Sequence, residues 1–246
     1  ESVTKVQIGQ RVVIEPTLGC DVRGIHERCR PCSTGHYGNC EYVTTGDIGP
    51  GLIIGYCRDT GGGWGTSFVA NESQLYPITD DIANEAAVLV EPLSCAIHAV
   101  LQAKLQEDST ILVVGCGTMG LLTIASLRAF APNCTIIALG KHTYQLELAR
   151  SLGATHQVQT GKNTYQELAE ISGGVLYPLP LGQPAVTGGF DTTFQCVGSP
   201  NALSDSVRWT HSQGKVIMVG MPDVGKMDLA PFWHQELQLN GAYTYS

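Results

Sequence analysis

Hydrophobic positions change rhythm near residue 109. Ahead of it they come in short runs cut by Gly, Pro and Asn: VVIEP at 12–16, GLIIGYC at 51–57, GTSFVA at 65–70 and QLYPI at 74–78. Such runs predict short strands in an irregular β-rich region. Helical spacing follows in IANEAAVLVEPL, which Asp80 or Asp81 is placed to cap, and again in CAIHAVLQAKLQ. From Ser109 on, apolar runs alternate with amphipathic ones. ILVVG precedes MGLLTIASLRAF and TIIALG precedes TYQLELARSLGA, with further strands expected at FDTTFQCVG and KVIMVG. Residues 172–189 break this rhythm and read as a long surface loop.

Strands apolar along their whole length, alternating with helices, predict a parallel sheet covered on both faces and hence an α/β fold. The change of texture divides the chain into an irregular part, 1–105, and a strand–helix part, 106–246. In the second part ILVVGCGTMG carries Gly115, Gly117 and Gly120 in the pattern G-x-G-x-x-G, directly after a strand and opening a helix. In that context Gly115 makes the tight turn, Gly117 lets a pyrophosphate approach the backbone, and Gly120 lets helix and strand pack closely. Thr118 and Met119 open the helix, whose N-terminus attracts phosphate. An NAD site would carry a carboxylate about 20 residues on, for the ribose 2′-hydroxyl. Here Gly140 stands there, followed by Lys141 and His142. Nothing at that place repels a 2′-phosphate and Lys141 can pair with one, so NADP(H) is expected over NAD(H).

Six stretches in order carry a resemblance to the medium-chain, zinc-dependent alcohol and polyol dehydrogenases. They are the cysteine cluster after VVIEP, AAVLVEPLSCAIHAV, VVGCGTMG, LARSLGA, GGFDTTFQCVGS and GKVIMVGMP. The resemblance implies a Rossmann doubly wound sheet joined to part of a GroES-like β domain. It implies that Val197-Gly198 and Val219-Gly220 border the nicotinamide ribose, and that Glu91 faces a catalytic zinc. It also implies homodimers or homotetramers built through an edge strand near residues 215–240. The family's other catalytic ligands lie upstream of the position that Glu1 resembles, and its last elements follow Ser246. The chain is therefore expected to be an internal portion of such an enzyme.

The family's structural zinc lobe matches Cys29, Cys32 and Cys40 within CDVRGIHERCRPCSTGHYGNC. Two residues compete for the fourth place. His26 holds the family's spacing, while Cys20 follows Glu15-Pro16 as the family's first cysteine does, set back by the insert DVRGIHE. Cys20 is preferred because thiolate is the commoner ligand, with His26 the alternative. Either set gives a closed N/S site that supports structure rather than chemistry. The other five cysteines, Cys57, Cys95, Cys116, Cys134 and Cys196, are scattered and expected to be buried as small hydrophobes.

Composition narrows the partners. With 14 Lys+Arg against 22 Asp+Glu the formal charge is −8, which disfavours nucleic acid and anionic membranes. No apolar run is long enough to span a bilayer and no leader pattern is present, so a cytoplasmic enzyme acting on a small alcohol or carbonyl compound is expected. Two rivals stand beside the zinc dehydrogenase: a zinc-free NADPH reductase of quinones or enones, and a non-catalytic nucleotide-binding protein.

Overall fold

In the computed structural model, which describes residues 3–178 and 183–245, the chain forms two compact units, 1–94 with 244–246, and 95–243. The first has little regular structure. Strand β1 (Val12–Ile14) pairs antiparallel with β2 (Leu75–Pro77), and between them lie the four-residue helix α1 (Arg30–Ser33) and single 3-10 turns. The expected strands at 51–57 and 65–70 do not form. One isolated bridge, Thr17 to Ile53, is all that the first makes. Gly51 and Gly55 take positive φ, which turns the backbone out of an extended ladder.

The helical stretch after residue 80 also divides differently. Helix α2 (Asn84–Ala87) is a single turn capped by Ala83, so neither Asp80 nor Asp81 is its N-cap. The chain then restarts as α3 (Val90–Ala103). Pro92 explains the break, since proline is tolerated in a first turn but not in the interior of one continuous helix. The two units divide inside α3, between Ser94 and Cys95, and not at the change of texture near residue 105. Ala99, Val100 and Ala103 belong to the core of the second unit, which draws the later turns of α3 into it.

That second unit is regular. It runs β3 (Thr110–Val114), α4 (Thr118–Phe130), β4 (Thr135–Gly140), α5 (Thr143–Ser151), β5 (His156–Gln159) and α6 (Thr164–Ser172). It continues through β6 (Val175–Tyr177), β7 (Ala185–Thr187), β8 (Phe190–Gln195), α7 (Pro200–Trp209), β9 (Thr210–Met218), α8 (Ala230–His234) and β10 (Gln238–Gly241). Six strands form a wholly parallel sheet in the order β5-β4-β3-β8-β9-β10. Successive residues of β3 face opposite sides. Ile111 and Val113 pack with α3, α4 and α5, while Leu112 and Val114 pack with α6 and the end of α7. This is the doubly wound sheet expected from the pattern. The expected loop at 172–189 instead holds the antiparallel hairpin β6–β7, and residues 179–182 within it lie outside the described part.

Candidate metal lobe and dinucleotide site

Residues 17–40 bring four sulfurs together without help from a sheet. Gly19 leads into a turn over residues 20–25, where the N–H groups of Arg23 and Ile25 both donate to Cys20 O. That turn returns the chain so that Cys29 N–H donates to Cys20 Sγ at 3.4 Å. Helix α1 then offers Cys32, and the 3-10 turn over 37–39 offers Cys40. All four thiols are buried, none is in a disulfide, and their sulfurs lie within 4.8 Å of one another. Cys20 is 3.6 Å from Cys29 and 3.8 Å from Cys40, and Cys29 is 4.0 Å from Cys40. A tetrahedron of sulfurs each about 2.3 Å from zinc has edges of roughly 3.8 Å, so the donor set fits that ion. His26 lies exposed on the insert, outside the cluster, whose fourth member is Cys20. His36 is exposed as well.

As thiols, these groups sit uneasily together. Burial pushes Cys32 and Cys40 up. At Cys29 burial also acts upward, but backbone N–H groups of Glu41 and Cys32 outweigh it and bring the thiol down to about 7. A divalent cation is what would let all four ionise at once.

The dinucleotide motif occupies the point where strand order reverses. Strands β3 and β8 are neighbours, and the chain leaves them toward opposite edges of the sheet, which opens a crevice at their carboxyl ends. Gly115 turns there with φ +93°. At Gly120 a Cβ would come within 1.8 Å of Gly115 O, so only glycine allows α4 to pack this closely on β3. At Gly117, the N-cap of α4, a Cβ would meet nothing within 4 Å. No side chain caps this helix, so the N–H groups around Thr118 and Met119 face that open space. The crevice therefore fits a pyrophosphate.

At the end of β4 a Cβ on Gly140 would lie 3.0 Å from Leu146 Cδ2 and 3.1 Å from Cys116 Sγ. A side chain at this position would require Leu146 or Cys116 to shift by a few tenths of an ångström. Lys141 and His142 follow it in solvent, and Lys141 makes no ion pair among the described residues. His142 stacks on Tyr144 at 5.7 Å between ring centroids.

The ends of β8 and β9 are joined by a residue the sequence pattern does not single out. Gln195 O accepts from the N–H groups of Val219 and Gly220, both at 2.9 Å. Its side-chain Oε1 accepts from Gly198 N–H at 3.1 Å, and its buried Nε2 has no partner among the described residues. A Cβ on Gly220 would come within 2.6 Å of Gly198 N, so the two strand ends are nearly in backbone contact. Val197 is half exposed at their rim.

Glu91, half-buried in the first turn of α3, lines a cavity of about 420 Å³ in the first unit with Val13, Glu15, Tyr37, Tyr76 and Tyr245. The Thr17 and Tyr76 hydroxyls donate to the carboxylate of Glu15. Among the described residues the four cysteines are the one set of three or more metal-type ligands that comes together, so no such set forms around Glu91. Among the described residues Glu91 is a single carboxylate, which does not by itself make a metal site.

Comparison with known proteins agrees with both halves of this description. Residues 118–246 match the family model of zinc-binding dehydrogenases, and residues 1–80 match that of the alcohol dehydrogenase GroES-like domain. Sorbitol dehydrogenase of Bacillus subtilis (strain 168) is 28% identical over 251 residues, covering all of this chain and 62% of the relative. The crystal structure of 2R,3R-butanediol dehydrogenase from Bacillus subtilis superposes with a TM-score of 0.73 at 25% identity, over 99% of this chain and 61% of the other. A candidate zinc-binding dehydrogenase from Sinorhizobium meliloti 1021, bound to NADP, gives 0.71 at 23% identity, over 99% and 64%. The chain thus spans about three-fifths of the length of its curated relatives.

Proposed function

The chain belongs to the medium-chain, zinc-dependent alcohol and polyol dehydrogenase family, and on that premise we propose that it serves an oxidoreductase that moves a hydride between an alcohol or carbonyl substrate and a nicotinamide cofactor. The observation that carries this reading is the glycine loop at the switch point of a parallel sheet, inside the stretch matched to zinc-binding dehydrogenases. Polyols are the favoured substrate class, because relatives along the whole chain act on sorbitol, L-idonate and L-arabinitol by name. A dinucleotide bound here would supply the hydride acceptor. The chain's own residues would do the positioning. The N–H groups at the start of α4 hold the pyrophosphate, while Val197-Gly198 and Val219-Gly220, tied together by Gln195, border the nicotinamide ribose.

NADP(H) is preferred in this reading, since glycine rather than a carboxylate holds position 140 and Lys141 stands next to it in solvent. The four cysteines hold a structural zinc, and a thiolate site of this kind suits a reducing, cytoplasmic compartment. Glu91 is this chain's contribution to a catalytic zinc whose other ligands it does not supply. Strand β10, on the outside of the sheet, is the proposed dimer edge.

The test is turnover of a polyol and alcohol panel with NADP+ and NAD+, together with NADPH binding by Lys141→Glu. Losing the charged hydrogen bond and placing an anion beside the 2′-phosphate should weaken NADPH by at least roughly 10- to 100-fold and leave NADH unchanged or tighter. Equal losses for both cofactors would refute the NADP(H) preference. NADPH binding with no turnover of any alcohol or carbonyl would favour a non-catalytic nucleotide-binding protein.

A further inference from the structure

Arg23 lies in the insert between Cys20 and Cys29, and its side chain is completely buried, at 0% exposure. Neither of the two ion pairs among the described residues involves it. Its partners are backbone carbonyls only. Nε donates to Leu18 O at 3.0 Å, Nη1 to the oxygens of Thr45, Ile48 and Gly49 at 3.0–3.3 Å, and Nη2 to Gly51 O. The side chain therefore joins the segment that enters the first cysteine to the segment that leaves the last. Two positive-φ glycines make room for it. At Gly24 a Cβ would strike the Asp47 carboxylate, and at Gly46 one would strike Arg23 O. On the outside of the same insert, Asp21 and Arg28 pair with each other, so Asp21 is engaged elsewhere.

Among the described residues no carboxylate pairs with this guanidinium directly, although Asp47 stands beside Gly24 and Asp59 accepts from Gly49 N–H. A buried cation held only by backbone dipoles is unfavourable unless a negative charge stands close by. Four thiolates around one zinc leave a net double negative charge. Arg23 begins three residues after one of those ligands, and its N–H donates to Cys20 O at 3.1 Å. We infer that Arg23 is a positioning residue for the metal, supplying the buried counter-charge of the zinc–thiolate centre while it clamps residues 45–51 against the lobe. This inference rests on the zinc reading of the four cysteines. Removing zinc removes the centre that residues 20–40 fold around, so clamp and metal should hold or loosen together.

Three preparations decide it: the unaltered protein, Arg23→Met and Arg23→Lys, each titrated with a chromophoric zinc chelator and melted with and without zinc. The unaltered protein should hold its zinc, and Arg23→Met should release it roughly 10- to 100-fold more readily, the usual cost of losing a partner behind the ligands. Arg23→Lys, which keeps the charge, should recover most of that loss. Arg23→Met should also melt earlier only when zinc is bound. Equal destabilisation of loaded and stripped protein with unchanged zinc release would make Arg23 a general packing residue and overturn the inference. Should Arg23→Met not accumulate, amide exchange on the unaltered protein answers the same question. Residues 45–51 should lose protection when zinc is stripped, and unchanged protection there would overturn the coupling. An unaltered protein that holds no zinc would instead overturn the metal reading itself, and this inference with it.

Discussion

The two units of this chain are held by different physics. In the second, most buried side chains are apolar and lie on one face or the other of a parallel sheet. In the first, residues 17–57 have hardly any sheet or helix, and besides Thr17, Leu18 and Cys57 what they bury is the four clustered thiols and one guanidinium. Hydrophobic burial grows with area and tolerates the loss of single contacts. A lobe organised by one ion and one buried charge should behave as all or nothing.

The sharpest way to break this contrast is to take the metal away. Stripping zinc, or Cys32→Ser, should unfold residues 17–57 while β3, β4 and β8 keep their amide protection. Structural zinc contributes roughly 10–16 kcal/mol of folding energy in small zinc domains. Uniform loss of protection through both units would show that they are not separately stabilised. The reverse perturbation is Phe194→Ala, at a fully buried position of β8. It should cost about 3–5 kcal/mol in denaturant unfolding of the second unit and leave zinc content alone. A smaller effect is expected at Gly120→Ala, where the added Cβ meets Gly115 O. About 1–3 kcal/mol of stability should go, and NADPH binding should fall further than stability does.

The smallest expected effect is a pH dependence. Burial raises the Asp205 carboxyl, only partly offset by the Tyr165 hydroxyl that donates to it and by Arg208. A carboxyl raised in the folded state contributes stability below its unfolded value near pH 4, and loses it as pH rises through the folded value. Asp205→Asn should therefore compare more favourably with the unaltered protein at pH 7 than at pH 4, by less than about 1 kcal/mol. The urea midpoints of both proteins at the two pH values check this, and an opposite trend would mean that Asp205 is stabilised as an anion.

The regular unit was largely legible in the sequence, because ILVVG and TIIALG are apolar along their length and each is fixed by local pattern and helix packing. The glycine loop was legible because its spacing follows a strand and opens a helix, and Gly115 and Gly120 answer backbone demands that only glycine meets, while Gly117 leaves the helix N-terminus open. The first unit resisted. LIIGYC looks like a strand, yet positive φ at Gly51 and Gly55 and the pull of Arg23 on Gly51 O keep it irregular. Arg23 itself leaves no periodic trace, since an arginine within an insert resembles a solvated surface charge. Gln195 was hidden differently, as its polar head is spent on the N–H of Gly198, a partner visible only once β8 and β9 lie side by side.

Zinc content per chain, by elemental analysis after dialysis against a mild chelator, tests the contrast most directly when done on the unaltered protein, Cys20→Ser and His26→Ala together. One tightly held zinc is expected in the unaltered protein and in His26→Ala, and none at the lobe in Cys20→Ser. Zinc kept by Cys20→Ser and lost from His26→Ala would contradict the ligand set, and no zinc in any of the three would contradict a lobe built on a metal.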